Sequence, residues 1–278
     1  MNDNLLLYIF YGFVAGFSQN TPLSASAHQA LFPMILRFDS GWPLLRFFVH
    51  AGALGAIIFL NWKQISHLYQ EMRIVAIQPK RRSRMPDLEA VLDIRLVSVA
   101  CIPVFVGAIL SAFTASADTS LLLLAVMLIL GAVTVYIPEY IPGGDRKIRS
   151  MSSLDGIILG VCAAASIIPG VSAVGLMLFA CSLRKCDKKY ILDIIFLICG
   201  LMLASVMAVD FISFVFTGFS GITLVKLIGC LLACAASFGG SVSAILTTRF
   251  LIVKDGLSGF AYYGWGLGLF SLILYLLV

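Results

Sequence analysis

Six uninterrupted apolar stretches, at about 43–62, 95–115, 119–137, 190–216, 222–248 and 257–278, constrain this chain more than any other feature. At 1.5 Å of rise per residue, each is long enough as a helix to cross the roughly 30 Å hydrocarbon core of a bilayer. Only 12% of the 278 residues are charged and 60% are hydrophobic. A soluble domain carries about 25% charged residues, so these stretches require an apolar solvent. The expected class is an all-α integral membrane protein. The first residues lack the basic start and small-residue cleavage site of a removable signal peptide, so none is expected.

Two further apolar stretches are interrupted. Residues 5–36 are broken by a polar run from Ser18 to His28 that contains Pro22, and residues 154–183 by Ser166-Ile167-Ile168-Pro169-Gly170-Val171-Ser172. Proline removes a helical donor and clashes with the preceding turn, and the serines and Thr21 offer the backbone other partners. Irregular backbone at membrane depth survives only where protein or a wet cavity satisfies it. Each stretch therefore reads as a re-entrant hairpin, helix–break–helix, returning to the face it entered; the alternative is one long kinked span.

Charge separates these alternatives. With two hairpins and six spans, 16 of the 19 basic residues fall on one face, and only Arg37, Arg46 and Lys226 on the other. The rich face should be cytoplasmic. Making 154–183 a full crossing would move the basic loop 184–189 to the outside. The hairpins also make the halves, 1–140 and 150–278, an inverted-topology repeat, each one hairpin plus three spans, with both termini outside. In such folds, paired interruptions point to a central site.

The polar groups at or near the breaks form the candidate ligand-binding set: Gln19, Asn20, Thr21, Ser24, Ser26, His28, Ser166, Gly170 and Ser172, with His50 in the span that begins near 43. An ionisable side chain inside a bilayer is expensive, which makes it a functional candidate; for His50 the competing reading is a hydrogen bond between helices. Asp193 and Asp210 lie in the span 190–216. Asp193, next to a basic boundary, is expected to cap or pair there, and Asp210 is expected near the outer end. The basic run 78–84 reads as a topogenic loop able to attract anionic headgroups. Gly264, Gly266 and Gly268 read as close helix packing. The clustered charge argues against nucleic acid as a partner. Seven scattered cysteines show no metal or disulfide spacing, and no metal or other cofactor is expected.

The breaks resemble the motifs of the bacterial undecaprenyl-pyrophosphate phosphatase (bacitracin-resistance) family. The family window Glu-x-x-x-Glu-x-x-Pro-x-Ser-Ser-Thr-Gly-His aligns with Ala15, Gln19, Pro22, Ser24, Ala25, Ser26, Ala27 and His28, and Pro-Gly-x-Ser-Arg-Ser-Gly with Pro169-Gly170-Val171-Ser172-Ala173-Val174-Gly175. Phe48-Val49-His50-Ala51-Gly52 and Phe260-Ala261-Tyr262-Tyr263-Gly264 carry lesser echoes of the family along the chain. The resemblance implies an inner-membrane protein of cell-wall lipid recycling whose ligand is a polyprenyl phosphate or pyrophosphate. Both motif glutamates are replaced, by Ala15 and Gln19, and the motif arginine by Ala173; Gly264 stands at a terminal arginine position. Ser24, Ser26, His28 and Ser172 remain as remnant catalytic candidates. Without the carboxylate base and cationic clamps that pyrophosphate hydrolysis uses, the expected function is non-hydrolytic binding or translocation of the lipid carrier. The alternatives are a working phosphatase with a rebuilt site, the only reading that calls for a divalent cation, and a pseudoenzyme that partners another membrane protein. A homodimer is left open.

Overall fold

In this computed structural model, residues 4–77, 84–114, 120–217, 222–254 and 256–277 are described; most of the basic run 78–84 lies outside them. Eleven α-helices organise the described residues: α1 Leu5–Gln19, α2 Ala25–Leu36, α3 Pro43–Leu60, α4 Trp62–Ala76, α5 Leu88–Thr114, α6 Leu121–Tyr140, α7 Ser153–Ala164, α8 Ala173–Leu183, α9 Lys188–Thr217, α10 Leu224–Val253 and α11 Ser258–Leu277. Six of these, α3, α5, α6, α9, α10 and α11, are long and apolar enough to cross a membrane. The protein is an all-α integral membrane protein.

α5 begins seven residues before the expected 95. Its extra turns carry Glu89 and Asp93, which hydropathy alone reads as loop. Here Arg149 Nε donates to Glu89 Oε1 at 2.9 Å, and the Tyr190 hydroxyl donates to Asp93. α4 was not expected. Its average hydropathy is near neutral, but Trp62, Ile65, Tyr69, Met72 and Ala76 recur every three or four residues and form one apolar stripe. On another face of α4, the Glu71 carboxylate accepts from Arg84 and from Asp87 N. The Arg84 hydrogen bond holds this carboxyl below its usual value.

Both broken stretches double back. Ser24 caps α2 by accepting from Ala27 N at 3.2 Å, and Phe38, just past α2, meets the Tyr8 ring of α1 edge-on at 5.0 Å. In the second stretch a 3-10 turn at Ala165–Ile167 follows α7, and Ser172 caps α8 by accepting from Gly175 N at 3.1 Å. Asp155 in the first turn of α7 is paired with Arg184 just past α8 and with Arg146 at 3.4 Å. Gly170 sits between them at φ +98°, where L side chains are strained, and a Cβ there would run into Met127 and the backbone of Leu128.

The packing of α1, α3, α5 and α6 corresponds to that of α7, α9, α10 and α11. α1 lies on α10 and α7 on α5; α3 packs on α9 and α10, and α9 on α3 and α5; α6 packs on α11. Exchanging α1 with α7, α3 with α9, α5 with α10 and α6 with α11 returns the same set. The close approaches correspond too. Gly12 and Gly16 of α1 meet the Ala233 and Ser237 backbone of α10, as Gly156 and Gly160 of α7 meet Leu96 and Ala100 of α5. These two small-xxx-small stripes let backbones touch. In α11, Gly264 and Gly268 rest on α6 as expected, while Gly266 faces open space.

The main core joins α3, α5, α7, α8 and α9 through side chains including Ile57, Leu96, Leu159, Met177, Ile195 and Phe196. One end of the bundle holds the starts of α7, α9 and α11 and the ends of α3, α6, α8 and α10. It is laced by polar contacts such as Arg249 to Asn61 and Asp193, and Lys188 Nζ to Pro138 O. All seven cysteines are free thiols.

Candidate functional site

The two breaks meet inside the bundle. Gly170 N donates to Ser24 Oγ at 3.1 Å, and Ser172 Oγ donates to Thr21 O at 3.3 Å. The two helix caps thus also bind one break to the other. Beside this junction a cavity of about 300 Å³ extends toward the start of α3 and the ends of α5 and α9. Gln19, Ser26 and Gln29 line it from the first hairpin, Ser166 and Pro169 from the second, and Arg46, His50 and Asp210 from α3 and α9.

The charged groups of the cavity form one cluster. Arg46 Nε donates to Asp210 Oδ1 at 3.0 Å, and His50 Nδ1 lies 2.8 Å from Asp210 Oδ2. Arg46 and His50 are four residues apart on α3, hence on one face of the helix. His50 and Asp210 are 6% and 4% exposed. A lone carboxylate at this depth would be costly, and two partners offset that cost. An ionised carboxylate only accepts, so His50 Nδ1 donates to Asp210, and Nε2 is the ring's acceptor whenever the imidazole is neutral.

The sequence candidates are divided by the structure. Gln19, Ser26, His50 and Ser166 line the cavity. Asn20 and Thr21 are fully buried beneath it. Thr21 Oγ1 donates to Phe17 O at 3.0 Å, while the Asn20 side-chain amide has no partner among the described residues. Ser24, Gly170 and Ser172 make the break-to-break junction. His28 faces away: its Nδ1 lies 2.6 Å from Ser24 O, its Nε2 2.8 Å from the Tyr263 hydroxyl, and its ring stacks on Tyr263. It borders a separate, mainly apolar groove with Phe13, Phe17, Leu251 and Phe260.

Two groups of the cluster lie outside the ligand-binding set read from the sequence. Arg46 counts there only as a charge, although its spacing from His50 is a usable signal. Asp210, expected near the outer end of its span, lies in the last third of α9 and is buried at the centre of the cluster. Asp193 pairs with Arg249 at 2.8 Å, as its boundary position suggested. Among the described residues no three His, Cys, Asp or Glu side chains converge as metal ligands. Asp210, the one carboxylate lining the cavity among the described residues, is already bonded twice.

The fold and site define a class: a multi-pass helical membrane protein with a polar cavity where two helix breaks meet. A family model described as bacitracin resistance protein BacA matches residues 8–270, and the chain belongs to that family. Several relatives named undecaprenyl-diphosphatase match along nearly their full length. One from Alkaliphilus metalliredigens is 28% identical over 95% of this chain and 98% of its own. Others, from Thermodesulfovibrio yellowstonii and Halothermothrix orenii, are 25% and 24% identical, covering 98% and 96% of both chains.

Proposed function

We propose that the chain binds the phosphate end of a polyprenyl phosphate in the cavity between the breaks and carries it across the bilayer without cleaving it. The observation that carries this reading is the employment of the motif remnants. Ser24 and Ser172 cap helices and tie the breaks together, and His28 is held by Ser24 O and Tyr263 on the far side of the break. The motif carboxylates are replaced by Ala15 and Gln19. Among the described residues the cavity therefore offers a phosphate hydroxyls, amides and the cation Arg46, but no unpaired carboxylate to act as base. The name of the relatives supports a polyprenyl ligand, and the replaced groups support binding over hydrolysis.

In this reading the Arg249 end is the face to which the sequence topology assigns 16 of the 19 basic residues, and it faces the cytoplasm of a bacterial inner membrane. Both termini and the mouth of the cavity face outside. The broken segments enter from opposite faces, and halves 1–140 and 150–278 form an inverted repeat. The corresponding packing supports that arrangement, which in transporters provides two alternating accesses to one central site. Vesicles containing the purified protein should relocate labelled polyprenyl phosphate faster than empty vesicles, and Arg46→Gln should slow the relocation. Movement no faster than in empty vesicles, with or without an ion gradient, overturns the reading.

A second reading is favoured by His50. Its Asp210-oriented imidazole leaves Nε2 available as a base or phosphate acceptor beside Arg46. A phosphatase rebuilt on this pair would release phosphate from farnesyl pyrophosphate and lose that activity in His50→Gln.

A further inference from the structure

At the Arg249 end, a second cavity, of about 790 Å³, lies between the ends of α3 and α10 and the start of α9. Arg249 forms its floor, with Nη2 donating to Asn61 Oδ1 at 2.7 Å and Asp193 Oδ1 at 2.8 Å. Asn61 is buried, and its own amide donates to Ile57 O at 2.8 Å, which anchors the guanidinium from behind. Among the described residues, only Nη2 of Arg249 is engaged in hydrogen bonds, which leaves its other N–H groups uncommitted. Lys63 and Lys189 also line the cavity, and neither has an ion-pair partner among the described residues. Among the described residues, three cations thus face one carboxylate, which is itself already paired.

The rim is of opposite character. Phe59, Trp62 and Val253 are 66%, 61% and 59% exposed. Tryptophan beside the end of a span is typical of the headgroup level of a bilayer. A free anion would use only the cationic floor. A lipid phosphate would use both surfaces, with the headgroup inside and the chains along the apolar rim. Basic pockets between spans take anionic lipid headgroups for this reason. We propose that this pocket holds the phosphate headgroup of an anionic membrane lipid. The inference does not depend on what occupies the cavity at the breaks.

Native mass spectrometry of the full chain, with phosphatidylglycerol and phosphatidylcholine of matched chains added, tests it. Wild type should retain phosphatidylglycerol in preference. Lys63→Gln with Lys189→Gln should cut that retention by about fivefold per lysine and leave phosphatidylcholine retention unchanged. Both lysines are exposed, and an unchanged unfolding midpoint verifies the fold; the Lys→Arg pair should restore retention. Neutralising Arg73 and Lys147 instead, both exposed, should have little effect. The proposal is overturned by undiminished retention in the pocket variant, by an equal loss in the Arg73/Lys147 variant, or by displacement of the lipid with millimolar inorganic phosphate, which would mark a site for the free anion.

Discussion

The two ends of the α3–α9 seam carry the same parts, an arginine and an aspartate with one polar helper, in opposite degrees of enclosure. Near the start of α3, Asp210 is 4% exposed and bonded by both Arg46 and His50. At the other end the Asp193 side chain is 48% exposed, and Arg249 divides its Nη2 between that carboxylate and Asn61. In the first cluster the carboxylate is buried and matched by two partners; in the second it is exposed and, among the described residues, outnumbered by cations. Enclosure decides what each pair is worth. A buried partner cannot be removed without stranding a charge, whereas an exposed one is replaced by water at little cost.

The largest expected effect follows directly. Asp210→Ala leaves buried His50 without its acceptor and half-buried Arg46 with only Gly41 O, and should destabilise the protein by about 3–5 kcal/mol, measured as a lower thermal midpoint in detergent. Asp193→Ala should cost less than about 1 kcal/mol by the same measurement. Equal losses at the two aspartates would remove the distinction.

Between these lie the residues joining the breaks. Gly170→Ala forces a side chain into a left-handed backbone and against Met127 and Leu128, at about 1–3 kcal/mol. Ser24→Ala removes a helix cap and the acceptor for Gly170 N, at about 1–2 kcal/mol. If the breaks form the wall of the cavity, both variants should also weaken ligand retention, which Asp193→Ala should leave alone.

The smallest effect is a pH dependence outside the spans. The folded Glu71 carboxyl sits below its ordinary value of 4.5, chiefly through the Arg84 hydrogen bond. A group depressed on folding stabilises above its unfolded value and loses that contribution as pH falls through its folded value. Glu71→Gln should therefore flatten the acid side of the stability profile. An unchanged acid limb would show that the Arg84 contact contributes nothing.

Much of this architecture was legible in the sequence because a bilayer imposes length and composition on whatever crosses it. Six runs and two proline-bearing interruptions located the helices and the breaks. α4 was less visible, since its polar face cancels its apolar stripe in any average. The site was harder to read for a different reason. His50 and Gln19 stood out as polar groups in apolar surroundings, but Asp210 is 160 residues from His50, and only the α3–α9 packing brings them together. The contacts of the motif remnants were hidden for a related reason: Ser24, His28 and Ser172 keep the family pattern, and their hydrogen bonds go to caps, backbone and Tyr263. Residue type persisted at those positions, and only coordinates show what each side chain holds.

Whether the cavity holds its ligand intact is tested most directly by phosphate release from undecaprenyl pyrophosphate, using purified wild-type protein beside His50→Gln. The account predicts release no faster than without protein in both cases. Sustained turnover by wild type that disappears in His50→Gln would contradict it and make the His50–Asp210 pair the centre of a working phosphatase.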